Sequence, residues 1–400
     1  MPESRLSPSE RRAVLSLAGI FGLRLLGLFM IYPVFALYAR SLPDATPARV
    51  GLALGIYGLA QALLQIPLGL LSDRIGRKRV IAAGLVVFAL GSAVAALAHT
   101  LELIALGRFL QGVGAIGSAL LALAADLTRA ENRGTAMAVI GLSIGFAFGL
   151  ALLAGPILNG LMGVPGMFWL TAVFGALGLV LLYIAVPTPV ASKVHEDAEA
   201  VPALLGGVLR EPRLLRLDFA ILVQHAILTA TFLGVPLVLE QAGIAAASQW
   251  RLYLPALLVS ALTVFPLVRL AERPGRLLPV LMTSIAVIGA AQALFLFPVL
   301  TAWGAGAALV LFFGGFNLLE ALLPALISRV APAGARGTAM GVYSSAQFLG
   351  IFLGGVLGGA AQGRFGPAGS FGFSLGMAAI WLLGSWLLPF EGTASTPHSR

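Results

Sequence analysis

Four ionisable side chains, Arg24, Arg108, His225 and Glu320, lie inside long apolar stretches of this 400-residue sequence. A charged side chain at the centre of a bilayer costs about 2.5–3.5 kcal/mol on insertion scales, so such groups should face a partner or an aqueous path. A desolvated carboxyl group takes up and releases a proton as its surroundings change, and an imidazole titrates near neutral pH when solvated. We therefore interpret Glu320 and His225 as candidate proton carriers. Permanently neutral, hydrogen-bonded structural roles are the alternative.

The composition indicates the environment in which these residues must work. Hydrophobic residues make up 59% of the chain and charged residues 10%, and the mean hydropathy is +0.98. Soluble domains carry about 25% charged residues, so the polar surface available here is too small to coat a soluble globule. The chain has no cysteine, and its four histidines show no metal-ligand spacing. We expect a polytopic membrane protein with no cofactor and no metal, and a membrane-embedded enzyme is disfavoured.

Twelve apolar runs are each long enough for a helix to cross the hydrocarbon layer of roughly 30 Å. The predicted helices are 14–39, 50–71, 80–98, 101–125, 135–160, 166–187, 214–239, 248–270, 277–297, 301–328, 336–360 and 368–390. A polar segment at 188–213, predicted as a cytoplasmic linker with a short surface helix near 203–212, separates six helices from six. The sequence thus predicts an all-α membrane protein with two pseudo-symmetric six-helix bundles, at 1–187 and 214–390, and a tail at 391–400.

Three internal echoes relate the two halves. The sequence RGTAM occurs at 133–137 and again at 336–340, and DRIGR at 73–77 is echoed by ERPGR at 272–276. Pro33 and Pro236 occupy matching places in the first and seventh predicted helices. Parallel repeats of this kind are typical of transporters in which two bundles flank a central pathway.

The distribution of basic residues predicts how the chain is oriented in the membrane. Most of the 25 Lys and Arg residues fall in loops on the side that carries both termini, and loops rich in Lys and Arg face the cytoplasm. This bias accounts for the net charge of +9 without a nucleic-acid partner. The expected partners are a small-molecule solute, protons and the lipid bilayer.

Two motifs carry a resemblance to a known family. GLLSDRIGRK at 69–78 fits G-x-x-x-D-R-x-G-R-K, and RFLQGVGA at 108–115 fits R-x-x-Q-G-x-G-A. At these residues the chain resembles the major facilitator superfamily (MFS), whose motifs A and B have those forms. LQGVGAIGSALLALAADLTR at 110–129 and the stretch from 316 to 350 further resemble the YajR-type transporters of that family. The resemblance implies a monomeric, proton-coupled antiporter of the bacterial inner membrane that exports a small amphipathic or drug-like solute by alternating access.

The resemblance also assigns a gating role to the motif A loop. The residues concerned are Gly69, Asp73, Arg74, Gly76, Arg77, Lys78 and Asp126. We expect Asp73, Arg77 and Asp126 to form a cluster, and Asp73 to face the N-terminus of the eleventh helix when the cytoplasmic side is closed. Replacement of Asp73 or Asp126 by Asn is expected to reduce transport with little loss of folded protein.

Further residues are assigned to proton coupling and to the substrate cavity. In the family that this chain resembles, the arginine of motif B assists proton transfer. Arg108 holds that position here, and the sequence does not show which residue is its partner. Tyr57, Gln61 and Gln65 recur at every fourth position and so share one helix face. With Asn317 they are predicted to line the cavity, and Arg24 either binds a substrate anion there or plays a structural role.

Two departures from motif C, a motif of the family's antiporters, keep other transport modes open. In this sequence Asn159, within GPILNG at 155–160, stands where the pattern has a glycine, and Ala151 stands where an earlier glycine is expected. A symporter or facilitator that imports a small solute is therefore the main alternative to export. A non-transporting sensor built on the same fold is also compatible with the sequence.

Overall fold

The computed structural model of the protein describes residues 6–188, 200–297, 300–332 and 334–387. Within these ranges the regular structure is helical, which confirms the all-α prediction. The α-helices are α1 Pro8–Phe29, α2 Tyr32–Ala39, α3 Pro47–Ile75, α4 Arg77–Ala96, α5 Leu101–Val113, α6 Gly117–Asp126, α7 Arg133–Ile184, α8 Pro202–Val208, α9 Pro212–Gln241, α10 Trp250–Ala271, α11 Leu277–Phe295, α12 Ala302–Val330, α13 Arg336–Phe365 and α14 Pro367–Leu387.

Eleven helical stretches among these residues are long and apolar enough to cross a membrane. The longest, Ala130–Ile184, has 55 residues, more than twice the roughly 20 that one crossing requires. Gly163 interrupts its helical backbone with a φ of 66° and a ψ of 173°, values that glycine adopts without steric cost. The helices predicted at 135–160 and 166–187 therefore meet at this break. The described residues contain eleven or twelve membrane-length helices, according to whether α7 is counted as one helix or two.

Two helices that the sequence predicted as continuous are broken in the structure. The predicted helix 14–39 divides into α1 and α2, since Pro33 in the first turn of α2 has no N–H to donate to the preceding turn. The predicted helix 101–125 divides into α5 and α6 near Gly114, whose ψ of 35° is not α-helical. Both breaks lie inside membrane-length stretches, where backbone groups freed by a break must find partners within the protein.

The linker predicted at 188–213 is described in part. Its residues 200–213 contain α8, which agrees with the short helix expected near 203–212. The backbone N–H of Val201 donates to Thr338 Oγ1 at 2.8 Å, so the linker contacts the first turn of α13. Residues 189–199 and the predicted tail at 391–400 lie outside the described residues.

Glycines bring α3 and α13 into close contact along a surface that we call the glycine seam. Its members are Gly51, Gly55 and Gly58 on α3 and Gly355 and Gly359 on α13. A Cβ added to Gly51 would collide with the carbonyl oxygen of Gly355, and one added to Gly355 would collide with the carbonyl oxygen of Gly51. Small residues allow such backbone approach in membranes, where van der Waals packing largely drives helix association.

The seam lies towards one end of the helices. We call the end that carries Arg74, Arg77, Arg129 and Arg336 the basic end, and the other the opposite end. At the opposite end the Arg40 guanidinium and the Glu240 carboxylate form an ion pair at 2.9 Å that joins the two halves of the chain. On the basic side of the seam, Gly341 approaches Ile66.

A second contact between the halves lies at the opposite end and provides a reporter for the seam. A Cβ built on Gly160 would lie 3.3 Å from the Cβ of Ala247, close to the roughly 3.5–4.5 Å that a disulfide spans. Because the chain contains no cysteine, cysteines introduced at these two positions would report this contact alone.

We predict that Gly355→Val opens the opposite end, because its side chain cannot fit against the backbone of Gly51. In the Gly160→Cys/Ala247→Cys background, the yield of oxidative cross-linking should fall severalfold. The matched control is Gly376→Val on α14, where an added Cβ meets no atom within 4 Å. Equal cross-linking in the Gly355 and Gly376 variants would contradict the inference that the seam holds this end closed.

Candidate functional site

The motif A loop places a buried arginine between two carboxylates. Arg77 Nη1 lies 2.9 Å from Asp73 Oδ1, and Arg77 Nε donates to Asp126 Oδ2. The Arg77 and Asp126 side chains are each 1% exposed, whereas the Asp73 side chain is 21% exposed. Gly76, with a φ of 101°, forms the tight turn between α3 and α4 that presents Arg77 in this position. The structure thus brings together the three residues predicted to form this cluster.

Other residues of the loop connect it to neighbouring helices. Lys78 Nζ donates to the carbonyl oxygen of Val186 at 2.7 Å, just beyond the end of α7. A Cβ added to Gly69 would lie 2.9 Å from Ser118 Cβ, so this glycine permits the close approach of α3 and α6. Arg74 is exposed in the last turn of α3.

The predicted contact of Asp73 with the eleventh membrane helix is not made in this conformation. In the part of the chain that the structure describes, Asp73 makes an ion pair with Arg77, and its Oδ1 accepts no well-aligned hydrogen bond. The gating role of the loop stays a prediction.

A third carboxylate at the basic end, that of Glu10, was missed by the sequence analysis. The buried Glu10 carboxylate accepts hydrogen bonds from the Arg129 backbone N–H at 2.8 Å and from Asn132 Nδ2 at 3.0 Å. It also completes a capping box with Ser7 at the start of α1. The sequence signal for the cap was the spacing S-x-x-E at 7–10, but its contact with residues 129–132 depends on how the helices pack. Glu10 ties α1 to the segment between α6 and α7.

In the second half of the chain, three helices converge on Glu320. Gln224 Nε2 on α9 donates to Glu320 Oε2 at 3.0 Å, and Gln347 Nε2 on α13 lies 3.4 Å from Glu320 Oε1. Gln347 Nε2 is also 2.8 Å from His225 Nε2, which is 3.9 Å from Glu320 Oε2. The structure therefore joins the two residues predicted to carry protons, and Gln347, which the sequence analysis missed, contacts both.

The Glu320 cluster borders the contact between the two halves. The Glu320 side chain is 35% exposed, whereas the His225 side chain is 4% exposed. The His225 ring lies 5.6 Å from the ring of Phe316, which stacks at 5.9 Å on Phe148 of the first half. Glu320 therefore has a partly exposed carboxyl group close to a hydrogen-bonded imidazole. A carboxyl group in such surroundings can bind and release a proton.

Away from the basic end, the first half holds two buried cations, Arg24 and Arg108. Arg108 Nη1 donates to Gln111 Oε1 at 2.8 Å, and Nη2 donates to the carbonyl oxygen of Leu54 at 3.3 Å. The Arg108 guanidinium also stacks 4.3 Å from the centre of the Tyr57 ring, a cation–π contact. These groups are the partners of Arg108 that the sequence left open.

Arg24 and the predicted cavity residues of α3 are buried. Arg24 Nη2 donates to Gln61 Oε1 at 2.7 Å, and Gln61 Nε2 donates to Gln65 Oε1 at 3.4 Å. Tyr57 is fully buried, with its hydroxyl 3.1 Å from that of Tyr32. In this structure, therefore, the α3 residues hold buried cations in place. Their role as lining of a substrate cavity stays a prediction.

Asn317 is placed differently. It is part-buried on α12, and its Nδ2 donates to Ser260 Oγ on α10 at 2.8 Å. It lies one turn before Glu320, so it shares a helix face with the candidate proton carrier.

Asp218 is a further buried carboxyl group that the sequence analysis overlooked. It lies in α9 within the sequence RLLRLDFAILV at 213–223 and is 7% exposed. The signal was an acidic residue inside an apolar run, close to the predicted start of the helix at 214. Tyr343 on α13 interacts electrostatically with both Asp218 and Glu320, so the three residues belong to one region.

The burial of the motif A cluster separates two substitutions that the sequence analysis treated alike. We predict that Asp126→Asn lowers stability by about 3–5 kcal/mol, because it leaves the buried Arg77 without its buried counter-charge. The apparent melting temperature of the purified protein measures this loss. Asp73→Asn, at a more exposed position, should cost less.

Glu131→Gln is the matched control for the Asp126 substitution, because it makes the same chemical change on a side chain that is 58% exposed. An Asp126→Asn protein that melts with the wild type and the Glu131 variant would show that the Arg77–Asp126 pair contributes little to stability.

Comparisons with known proteins agree with this arrangement. The family model of the Major Facilitator Superfamily matches residues 17–355 and, in a second match, 257–399. The inner membrane transport protein YajR of Escherichia coli is 44% identical over 96% of this chain and 84% of that protein. The class C tetracycline resistance protein of Escherichia coli is 31% identical over 43% of this chain and 44% of that protein.

A solved structure shares the fold. It is a bacterial homologue of the human lysosomal transporter Spinster in an inward-facing and occupied conformation. Its TM-score is 0.76 at 17% identity, over 96% of this chain and 97% of that one. With its membrane-length helices and its motif A loop, this chain belongs to the Major Facilitator Superfamily.

Proposed function

We propose that the protein is a proton-coupled antiporter that exports a small amphipathic or drug-like solute from the cytoplasm by alternating access. The observation that carries the proposal is the position of Glu320, where a partly exposed carboxyl group meets His225 and Gln347 beside the contact between the halves. The 31% identity to a tetracycline resistance protein over part of the chain supports a drug-like solute.

In this proposal the membrane helices form two six-helix bundles, one on each side of the linker. Counting α7 as two helices that meet at Gly163 gives six membrane helices before the linker, and α9 to α14 give six after it. The internal echoes of the sequence support a pseudo-symmetric relation between the bundles. Rocking of one bundle against the other would expose the space between them to each side in turn.

The orientation follows from the distribution of charge. The basic end would face the cytoplasm, since loops rich in Lys and Arg are retained there. The glycine seam and the Arg40–Glu240 pair close the opposite end. The structure would then correspond to an inward-open state, with Glu320 reached from the cytoplasm.

Coupling would come from competition at Glu320. A carboxylate in a desolvated site is costly, so a proton that binds there stabilises the site when no solute is present. A solute that enters from the cytoplasm changes the hydration and charge around Glu320 and favours release of the proton. Solute leaving on the other side would allow a proton to bind again, so export would be driven by proton entry.

The motif A cluster would act as the latch of the opposite state. Closure of the basic end would bring the first turn of α13 towards Asp73, whose Oδ1 accepts no well-aligned hydrogen bond here. A carboxylate at a helix N-terminus satisfies free N–H groups and meets the positive end of the helix dipole, for about 0.3–1 kcal/mol. Arg77, held by Asp126, would position Asp73 for this contact.

We predict that Glu320→Gln uncouples proton movement from solute movement. Everted membrane vesicles with an acidified lumen should release protons when tetracycline, or another member of a panel of lipophilic cations and anions, is added. The Glu320 variant should reduce this release about tenfold or more, a change of at least about 1.4 kcal/mol, because glutamine carries no titratable proton.

The control is Glu272→Gln, which removes an exposed carboxylate from the same half of the chain and should behave like the wild type. Solute flux without proton release in the wild type would favour the facilitator. Absence of both flux and proton release for the whole panel would contradict transport and favour the sensor.

A further inference from the structure

We propose that Asp218 is a second proton-binding carboxyl group, placed between the basic end and Glu320, through which protons pass between the cytoplasm and Glu320. This inference rests on the proposed proton coupling. It deepens that function by adding an intermediate site to the path of the proton.

The first observation is the isolation of the Asp218 carboxyl group. Both of its oxygens are buried, and neither has a hydrogen-bond partner among the described residues. A buried carboxylate without a partner costs several kcal/mol, whereas a neutral carboxyl group avoids most of that cost. A side chain that served only to hold helices together would be expected to contact another polar group.

The second observation is the pairing of α9 with α13. Asp218 and His225 are seven residues apart, two helical turns or about 10.5 Å along α9, and so lie on one face. On α13, Tyr343 and Gln347 are one turn apart and share a face. Gly350, three residues beyond Gln347, packs directly against the backbone of Leu222, so the two helices are in contact beside these residues.

These faces give two connected levels of polar groups. The level nearer the basic end holds Asp218 and Tyr343, and the deeper level holds Glu320, His225 and Gln347. Tyr343 is buried, and its hydroxyl has no hydrogen-bond partner among the described residues. The charges of both carboxyl groups act on this hydroxyl, which can both donate and accept a hydrogen bond. We therefore include Tyr343 in the proposed path, where movement of the side chains would bring its hydroxyl into hydrogen-bonding distance of Asp218 and Glu320.

Four ionisable groups of the described residues bear on Asp218. Arg213 and Arg216 precede it on α9, Tyr343 lies on α13 and Glu320 on α12, and the charges of Asp218 and Glu320 both act on Tyr343.

The proton step balances without any further reactant. During export the Glu320 O–H bond breaks as its proton moves to the Tyr343 oxygen, while the Tyr343 hydroxyl proton bonds to an oxygen of the Asp218 carboxylate. The Asp218 O–H bond then breaks as its proton passes to water at the basic end. Tyrosine is restored as a neutral phenol, and the net result is transfer of one proton from Glu320 to the cytoplasmic side. Because the Tyr343 hydroxyl is hydrogen-bonded to neither carboxyl group in this structure, the transfer requires movement of these side chains.

The first experiment needs no solute. A pH titration followed by infrared difference spectroscopy detects the C=O stretch of protonated carboxyl groups in the purified protein. We expect Asp218→Asn to remove one such signal, Glu320→Gln to remove a different one, and Glu211→Gln to remove neither. Glu211 is the matched control, because its carboxyl group begins the same helix but is more exposed and paired with Arg213. An Asp218→Asn spectrum identical to the wild type at every pH would overturn the proposal.

The second experiment separates proton passage from solute binding. In everted vesicles, Asp218→Asn and Tyr343→Phe should slow tetracycline-dependent proton release about tenfold, with the equilibrium binding of tetracycline unchanged. Asp218→Glu should restore the release with a displaced pH profile, which a merely structural carboxyl group would not do. An unchanged rate in the Asp218→Asn variant overturns the proposal.

Failure of the two proposals can be told apart. If wild-type vesicles show no coupled proton release with any solute of the panel, the antiport function fails and the relay fails with it. If wild-type release is normal and the Asp218→Asn variant equals it in both experiments, the relay alone fails. If Asp218→Asn lowers the melting temperature and Asp218→Glu restores stability but not proton release, the role is structural and the proposal is wrong.

Discussion

The structure depends on the cost of placing charge where no water can solvate it. A hydrocarbon layer offers no hydrogen bonds, so every buried ionisable group must find a partner within the protein or remain neutral. Arg77 meets this constraint by pairing with Asp126, and each of these two side chains is 1% exposed. Arg108 meets it with a glutamine, a backbone carbonyl and the face of Tyr57. Asp218 meets the constraint incompletely, since neither of its oxygens has a hydrogen-bond partner among the described residues.

The two halves meet this constraint in different ways. Away from the basic end, the first half holds the buried cations Arg24 and Arg108, and the second half holds buried Asp218 and His225 and partly exposed Glu320. An arginine stays charged at any physiological pH, so the charges of Arg24 and Arg108 are fixed. A carboxyl group or an imidazole can change its charge, and for this reason we assign the proposed proton binding to the second half. The halves therefore share loop motifs and diverge in their interiors.

The contacts between the halves also differ in strength. The Arg40–Glu240 pair is half-exposed, and exposed pairs of this kind contribute about 0–1 kcal/mol. The glycine seam is extended, with backbone against backbone from Gly51 to Gly58, and close packing is the main source of helix association in lipid. We therefore infer that packing at the glycine seam contributes most of the free energy that holds the two halves together at the opposite end. The ion pair contributes mainly to which surfaces meet there.

The sequence by itself determined the membrane environment, the number of membrane-length helices to within one, the internal repeat and the motif A cluster. An apolar run of sufficient length must span the layer, a repeat is visible by comparing the two halves of the sequence, and Asp73 and Arg77 are one turn apart. Asp126, 49 residues from Arg77, was placed in the cluster with the support of the family resemblance. The sequence also indicated Glu320 and His225 as candidate proton carriers, because an ionisable side chain in an apolar run must face away from the lipid. The helix breaks near Pro33 and Gly114 were missed, since a membrane helix tolerates proline and glycine when its neighbours satisfy the backbone.

Only the tertiary structure decided which residues meet. Gln224, Glu320 and Gln347 come from three helices, and the rotation and register of those helices bring their side chains within hydrogen-bonding distance. The partners of Arg108, the contact of Glu10 with Arg129 and the isolation of Asp218 have the same origin. A pattern along the chain shows which side chains need a polar neighbour, but the neighbour is selected by packing between helices that are distant in sequence.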